Sequence, residues 1–345
     1  MREYARKSDK HMAVVGAGAV GSNVAALLRD EGHDITIIDP WPAHVSAIRD
    51  SGLRISLQER EVSVAVPALH IHELCSTIRP FDLVFLACKS YDSRWMAELM
   101  KPYMSDYSVL VSVQNSINEE WLLPIVGYSR VVGCVLSISC ELWEPGHATR
   151  NTAFDRITFT VGEPNGATTS RIREIASILS SAGGSRITEN LWGARWSKLV
   201  LNTMGMPMAA ITGLMTREVI LDDDCMRASI RLGRESLAVA NALGYTLDPI
   251  FGIDPRQFES DTDSLLETLM RTLAGGIGDA RGTIWYDVEK GRRTETDLLC
   301  GLVVRHGNDV GVETPANEAM VETMRRIEID DIRPDRANVK YILGQ

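Results

Sequence analysis

The apolar positions in the first part of the chain fall in short runs separated by amphipathic stretches. Residues 12–16 form a β-rich run, residues 20–33 have helical composition that ends near Gly32, and residues 34–39 form a second β-branched run. Three later runs are continuously apolar, as strands buried on both faces usually are; they are residues 81–90, 108–116 and 131–139. The pattern predicts a strand–helix–strand unit followed by further buried strands.

Helical stretches separate these predicted strands at residues 93–104 and 169–183. Such alternation favours a doubly wound, mostly parallel sheet, which we expect over residues 11–188. Residues 53–68 alternate as an edge hairpin would, and residues 154–163 alternate as an antiparallel strand would. The expected fold class is α/β, with a Rossmann-type sheet in the N-terminal domain.

Near residue 190 the β-rich runs mostly stop and helical periodicity takes over, which predicts an all-α C-terminal domain. The expected organisation is an N-terminal tail (1–10), a dinucleotide-binding Rossmann domain (11–188), a helical substrate and catalytic domain (189–332) and a C-terminal tail (333–345). The helices predicted in the second domain cover residues 192–205, 217–244, 262–276, 294–311 and 316–328, with a surface loop over most of 246–264.

Composition narrows the function classes. The chain has 345 residues, 45% of them hydrophobic and 24% charged, which is ordinary for a globular protein of about two domains. The formal net charge of −10 argues against nucleic acid or an anionic membrane as a partner. No apolar run approaches the ~20 residues that span a bilayer, and the charged start of the chain has no hydrophobic signal core. We expect a cytoplasmic protein that acts on a small molecule.

The six cysteines do not predict a metal site or a disulfide framework. They form no CxxC pair and no cluster with histidine at zinc spacing. Several lie in apolar runs, so we expect buried, reduced thiols and no bound metal.

A glycine-rich turn joins the first predicted strand to the first predicted helix. Gly16, Gly18 and Gly21 follow the pattern GxGxxG inside a strand–helix–strand unit of about 30 residues. Gly16 would allow the tight turn, Gly18 would let a pyrophosphate approach the backbone, and Gly21 would let the helix pack closely on the strand. Ala19 and Val20 open that helix, whose N–H groups attract phosphate. This context predicts a dinucleotide site.

Asp39 ends the second strand, 18 residues after Gly21. A carboxylate there can accept hydrogen bonds from the adenosine ribose and would repel a 2′-phosphate. No Arg or Lys stands immediately beside it, so the sequence favours NAD over NADP. The alternative is an aspartate that only caps a turn.

Four polar positions are candidates for chemistry beyond the glycine turn. Lys89 and Asn115 each follow a buried strand, at the carboxyl edge of the sheet where the nicotinamide half would lie; ordinary loop polar groups would look the same. Lys198 and Asn202 stand four residues apart, on one face of an apolar predicted helix. Lys198 is either a surface lysine with a buried stem or a desolvated proton donor of lowered pKa.

Glu295 and Asp297 lie at the start of a predicted helix, where acidic residues often serve only as partners of the helix dipole. The residues alone leave open whether either takes part in a site.

Together these segments resemble the ketopantoate reductase family (2-dehydropantoate 2-reductase) over about residues 12–328. The matching signatures are "VVGAGAVGS", "ACKSYDS", "VQNSINEE", "EPGHATRN", "VGE", "WSKLVLNT…P", "YDVEKGRRTETDLLCG" and "VETPANEAM". Any one of them is modest, but their order and spacing are specific.

The resemblance implies a role for each site residue. Lys198 would be the general acid that protonates the oxygen as hydride reaches the carbonyl carbon, and Asn202 would contact the substrate. Glu295 would hold the substrate hydroxyl and the lysine. Lys89 and Asn115 would line the nicotinamide and the cleft, and Asn115 would also contact the substrate. Thr283 stands where the family usually offers a serine hydroxyl to the substrate carboxylate.

Two departures bear on the substrate and the cofactor. The family commonly has Asn-Pro on the helix after the lysine, whereas this chain has Met206-Pro207. The family's best-known members favour NADPH, with a basic residue after the second strand, whereas Asp39 stands there here. Trp285 and Tyr286 also follow Thr283. We therefore expect an NAD(P)-dependent oxidoreductase that acts on ketopantoate or on a bulkier hydroxy or oxo compound, such as an aromatic one. We also expect a homodimer. The alternative is a dinucleotide-binding sensor without turnover.

Overall fold

The computed structural model describes residues 9–250, 252–255, 261–277 and 282–345. The chain divides after Leu191 into two compact units. The strands, all in the first unit, are β1 (Met12–Val15), β2 (Ile35–Asp39), β3 (Leu53–Ser56), β4 (Glu61–Val64), β5 (Ala68–His70), β6 (Phe81–Leu86), β7 (Met104–Ser112), β8 (Val131–Leu136), β9 (Cys140–Glu144), β10 (His147–Arg150), β11 (Ile157–Gly162) and β12 (Gly184–Ile187). The helices of the first unit are α1 (Ala19–Asp30), α2 (Pro42–Ser51), α3 (Ser93–Met100), α4 (Glu119–Val126) and α5 (Ser170–Leu179).

The main sheet of the first unit has eight strands in the order β12-β11-β8-β7-β6-β1-β2-β5. Its pairs are parallel except β11 with β8, which is antiparallel. Strands β1, β2, β6 and β8 are almost wholly buried, as continuous apolar runs covered on both faces should be. The predicted α/β fold with a Rossmann-type sheet, and the antiparallel strand within 154–163, are confirmed.

A second, four-stranded sheet in the order β4-β3-β10-β9 was not predicted. The alternating segment 53–68 does form the hairpin β3–β4, but its partner is β10 rather than the edge of the main sheet. Helix α1 contacts all four strands of this small sheet as well as β1 and β2 of the main sheet. Residues 21–28 of α1 are buried without interruption, because strands of both sheets pack against this helix.

The second unit is helical, as predicted. Its helices are α6 (Leu191–Thr212), α7 (Thr216–Leu221), α8 (Asp223–Ala242), α9 (Thr262–Ile277), α10 (Thr283–Glu289), α11 (Thr296–Val310), α12 (Pro315–Glu328) and α13 (Val339–Leu343). Helix α8 is central and contacts α7, α9, α11, α12 and α13.

Two expectations about the second unit differ from the structure. The single helix expected over 217–244 is two helices, because the Asp222 carboxylate accepts the N–H of Cys225 and starts α8 there. The segment 333–345, expected to be a tail, contains α13. Val339, Ile342 and Leu343 of α13 are buried, since their spacing gives the helix one apolar face.

The remaining outcomes concern the tails, the loop and the cysteines. Residues 1–8, and residues 251 and 256–260 of the predicted loop, lie outside the described residues. All six cysteines are free thiols; Cys134, Cys140, Cys225 and Cys300 are buried as expected. The expectation was wrong for Cys75, which is exposed on a 3-10 turn, and for Cys88, which is only half-buried beyond the end of β6. No helix among the described residues is long and apolar enough to cross a membrane. The described part of the chain also holds no group of side chains suited to bind a metal ion.

Candidate active site

The three glycines between β1 and α1 differ in what surrounds them. Gly16 has a φ of +87°, and a β-carbon on it would lie 2.5 Å from the backbone nitrogen of Cys88. A β-carbon on Gly21 would overlap the carbonyl oxygen of Gly16. A β-carbon on Gly18 would meet no atom within 4 Å. Two glycines are therefore required by the fold itself, and the third leaves open space above the loop.

The first turn of α1 faces that open space. Gly18 is the N-cap and makes no side-chain cap, so the first N–H groups of the helix point outward without an intrahelical acceptor. Ala19 and Val20, which begin the helix, are partly exposed. A helix start of this kind is suited to hold the phosphates of a dinucleotide.

Asp39 at the end of β2 is bound to the glycine loop. Its Oδ2 accepts the N–H of Ala17 at 2.6 Å, and its Oδ1 accepts the N–H of Trp41 at 2.8 Å. The side chain is 6% exposed. Burial raises the pKa of Asp39, and the two N–H groups oppose that rise. Asp39 is thus a clamp on the loop, and each carboxylate oxygen still has a second lone pair for a ligand hydroxyl.

Lys89 and Asn115 lie on the two loops that follow β6 and β7. Hydrogen bonds tie these loops together: the Ser90 hydroxyl donates to the Asn115 carbonyl at 3.0 Å, and the Asn118 amide donates to the same carbonyl at 2.5 Å. Gln114 donates to the Cys88 carbonyl at 2.9 Å. The parallel pairing of β6 with β7 places both loops at one edge of the sheet.

Sequence reasoning missed the residues that join these loops. Ser90, Gln114 and Asn118 are all buried and polar. Their signal was the density of amide and hydroxyl side chains just after two buried strands. Ser116 has a φ of +70°, which is uncommon for a residue with a β-carbon and marks local strain beside Asn115.

In the second unit, Lys198, Asn202 and Met206 follow one another at single-turn spacing on α6. This helix is buried along its whole length except at Trp192, Lys198 and Met206, which keep partial exposure. Asn202, between the last two, is buried. Desolvation lowers the pKa of Lys198 from 10.5 to about 8, and among the described residues its ammonium is in no ion pair. The helix thus presents one lysine and one methionine at the two ends of a short stripe.

The start of α10 lies beside Met206, which is at one end of that stripe. A β-carbon on Gly282 would be 3.1 Å from the Cα of Met206, so the residue before Thr283 packs against the α6 backbone. The Thr283 hydroxyl is buried and has no hydrogen-bond partner in the described part of the chain. Trp285 and Tyr286 follow on α10, with their rings edge to face at 5.3 Å.

Glu295 is the N-cap of α11 and is 3% exposed. It belongs to the same unit as Lys198. Asp297, the other carboxylate of that helix start, is exposed and lies 4.0 Å from Arg293. Of the two acidic candidates, Glu295 is the buried one.

Comparison with known proteins agrees with this description. Residues 12–165 match the family model of ketopantoate reductase PanE/ApbA, and residues 190–328 match the model of its C-terminal domain. The 2-dehydropantoate 2-reductase of Pyrococcus horikoshii is 28% identical over 309 residues, covering 88% of this chain and 93% of that protein. That of Archaeoglobus fulgidus is 25% identical over 322 residues, covering 92% and 98%.

Solved structures show the same architecture. A PanE/ApbA family ketopantoate reductase from Ralstonia eutropha superposes with a TM-score of 0.78 at 28% identity, covering 92% of this chain and 98% of that one. D-mandelate dehydrogenase in a ternary structure with NADH and anilino(oxo)acetate gives a TM-score of 0.81 at 19% identity, with the same coverage, and that likeness concerns the fold.

The family matches define an oxidoreductase that acts on CH–OH groups. The chain belongs to the ketopantoate reductase family.

Proposed function

We propose that this protein interconverts a 2-oxo acid and its 2-hydroxy acid with NAD(H), and that Lys198 exchanges the proton at the substrate oxygen. The observation that carries this proposal is the stripe on α6, where Lys198 and Met206 are partly exposed although the helix from residue 193 to residue 212 is otherwise buried. A general acid must reach the reacting oxygen and must titrate near the working pH. Lys198 meets the second condition because burial lowers its pKa to about 8.

Polar side chains of the second unit have the chemistry to bind a hydroxy or oxo acid. When bound, the nicotinamide supplies or accepts the hydride at its C4. Lys198 gives its proton to the oxygen in reduction and takes it back in oxidation. The Asn202 amide and the Glu295 carboxyl orient that oxygen. The Thr283 hydroxyl, which has no partner among the described residues, donates to the substrate carboxylate. Holding these groups in place before the reaction lowers the barrier, since their ordering is not repeated at each turnover.

The first unit contains the residues that we propose bind the cofactor. The open space at Gly18 and the exposed start of α1 fit a pyrophosphate, because a β-carbon there would fill that space. Lys89 and Asn115, held on joined loops, line the nicotinamide end. The carboxylate of Asp39 favours NAD, since it would repel the 2′-phosphate of NADP.

The substrate is proposed to carry a larger, more apolar group than ketopantoate does. Met206 supplies a soft apolar surface where the family commonly has a polar asparagine. Trp285 and Tyr286, next to Thr283, add aromatic surface on α10. D-mandelate dehydrogenase, which has this fold, acts on an aromatic hydroxy acid by its name. Ketopantoate is the second candidate, favoured by the curated relatives.

The test is a spectrophotometric assay at 340 nm. Reduction of ketopantoate and of the 2-oxo acid that corresponds to mandelate is measured with NADH and with NADPH, and NAD+ reduction is followed across hydroxy acids and aryl alcohols. Fast reduction of an aryl oxo acid with NADH supports the proposal if Lys198→Ala lowers the rate by ~10²–10⁴-fold. Fast turnover of ketopantoate alone assigns the second candidate. NADH binding without turnover of any compound would instead indicate a sensor.

We also propose that the protein is a cytoplasmic homodimer, because helical second domains of this kind often pair through apolar faces. Light scattering on the purified chain, whose mass is 38.1 kDa, would distinguish a dimer from a monomer.

A further inference from the structure

We propose that His44 is a positioning residue of the dinucleotide site, acting through Ser22 on the peptide of Ala17 in the glycine loop. The inference rests on the proposed binding of NAD(H) at that loop. It concerns three residues of the first unit that have no place in the chemistry described above.

The contacts form a continuous buried chain. His44 on α2 and Ser22 on α1 are both 0% exposed. The His44 Nε2 lies 3.2 Å from the Ser22 Oγ, and that hydroxyl donates to the Ala17 carbonyl at 2.7 Å. Ala17 stands between Gly16 and Gly18, at the centre of the glycine loop.

The directions of the hydrogen bonds fix the state of the imidazole. The backbone N–H of Gly146 donates to the His44 Nδ1 at 2.9 Å, so Nδ1 is the acceptor. The Ser22 hydroxyl has one proton and gives it to Ala17, so its oxygen must accept from His44. His44 is therefore neutral, with its proton on Nε2. Burial lowers the pKa of His44 and so favours the same neutral state, whereas the charge of Asp39 and the backbone of Ala17 act in the opposite direction.

The backbone of Ala17 is held on both sides as a result. Its carbonyl accepts from Ser22, and its N–H donates to the Asp39 carboxylate at 2.6 Å. The orientations of the two peptide groups that flank Ala17 set the path of the backbone through Gly18 into α1. A loop held in its binding conformation before the ligand arrives binds more tightly, because less ordering remains to be done.

His44 connects this loop to the second sheet. Gly146 lies in the turn between β9 and β10 with a φ of +77°, and a β-carbon on it would lie 3.1 Å from the Cβ of Ala47 on α2. The Trp41 ring stacks on the imidazole with a centroid distance of 5.5 Å and an interplanar angle of 13°. The small sheet thus fixes the imidazole from the side opposite the loop, which gives that sheet a part in cofactor binding.

Two substitutions of His44 separate its two hydrogen bonds. In His44→Gln the side-chain amide reaches the position of Nε2 and can donate to Ser22, whereas in His44→Asn the shorter amide oxygen can accept only from Gly146. His44→Leu and Ser22→Ala each remove the link entirely. His33→Leu is the matched control, since His33 is also buried in the first unit at 2% exposure but lies at the amino end of β2.

NADH binding is measured by titration of the full-length protein, together with the KM for NADH. We expect His44→Leu, His44→Asn and Ser22→Ala to raise the Kd by about 3- to 10-fold, the usual effect of losing one hydrogen bond. His44→Gln should stay within about 2-fold of the wild type, as should His33→Leu. The His44→Leu/Ser22→Ala double variant should be no weaker than either single variant, because both break one link. The loss should fall on the KM for NADH more than on kcat.

Equal NADH affinity in His44→Gln and His44→Asn would overturn the proposal, and this pair decides the question even if His44→Leu does not fold. Normal NADH affinity in Ser22→Ala would overturn it as well. If the wild type bound neither NADH nor NADPH, the proposed function itself would fail, which is a different result from normal binding in the variants.

Discussion

Gly21 packs directly on Gly16: a β-carbon on the first would overlap the carbonyl oxygen of the second. The same loop leaves a space of at least 4 Å at Gly18. One motif therefore contains two glycines that the fold needs and one that we propose the dinucleotide needs, and substitution can tell them apart.

Gly18→Ala should leave the free energy of unfolding within about 0.5 kcal/mol of the wild type, as for a substitution that disturbs no packing. It should weaken NADH binding by at least about 10-fold, because the methyl group occupies the space proposed for the pyrophosphate. Gly16→Ala is the matched control: its positive φ and its contact with Cys88 should cost about 2 kcal/mol or more in stability. Urea unfolding measures the stability of each variant, and titration with NADH measures its affinity for the cofactor. Normal binding in Gly18→Ala would contradict the pyrophosphate assignment.

Lys198 should set the pH dependence of both the reduction and the oxidation reaction. Burial lowers its pKa to about 8. Reduction needs the protonated amine, so kcat/KM for the oxo acid should be constant below that pH and fall as the pH rises through it. Oxidation needs the neutral amine, so kcat/KM for the hydroxy acid should rise over the same interval. Profiles from pH 6 to 10 check this.

A profile for reduction that stays flat across pH 8 would exclude Lys198 as the proton donor. Lys198→Arg is the control, because arginine stays charged throughout this range and should remove the transition along with most of the activity.

Asp39→Asn should change both stability and cofactor choice. The carboxylate accepts two backbone N–H groups, and an amide has only one acceptor oxygen. One N–H therefore loses its partner, which should cost about 1–3 kcal/mol in the free energy of unfolding. Removal of the negative charge should also raise the affinity for NADPH relative to NADH. Loss of stability with an unchanged ratio of the two affinities would mean that Asp39 serves only the loop.

Thr283→Val should separate substrate binding from stability. The hydroxyl is buried and has no hydrogen-bond partner among the described residues, so replacing it with a methyl group of the same shape should leave stability unchanged or raise it by about 1 kcal/mol. The KM for the carboxylate substrate should rise by roughly 10-fold, because the carboxylate loses a donor. Thr283→Ser keeps the hydroxyl and should keep the KM. A KM that does not move in Thr283→Val would remove Thr283 from the substrate site.

Met206→Asn should shift the substrate preference toward ketopantoate. A polar amide at this position would favour a polar substrate and leave an aryl group against an unpaired donor. We expect the ratio of kcat/KM for ketopantoate to that for the aryl oxo acid to rise by about 10-fold. Met206→Leu keeps the apolar surface and should leave the ratio near its wild-type value. An unchanged ratio in Met206→Asn would show that Met206 does not select the substrate.

The sequence allowed prediction of those parts whose causes are local. The turn from β1 into α1 is visible because its glycines, its strand and its helix are adjacent in the chain. The shared face of Lys198 and Asn202 follows from helical periodicity alone. The buried strands of the main sheet are continuous apolar runs, which local composition reveals.

The tertiary structure decided what depends on residues distant in sequence. The small sheet pairs residues 53–64 with residues 140–150. Alternation of polar and apolar residues predicts a strand but does not indicate which other strand it will pair with. Gly146 reaches His44 across 102 positions, and Gly282 packs against Met206, which is also distant in the sequence. The lowered pKa of Lys198 also belongs here, because desolvation is a property of everything packed around an ammonium group, and no neighbouring residue in the chain encodes it.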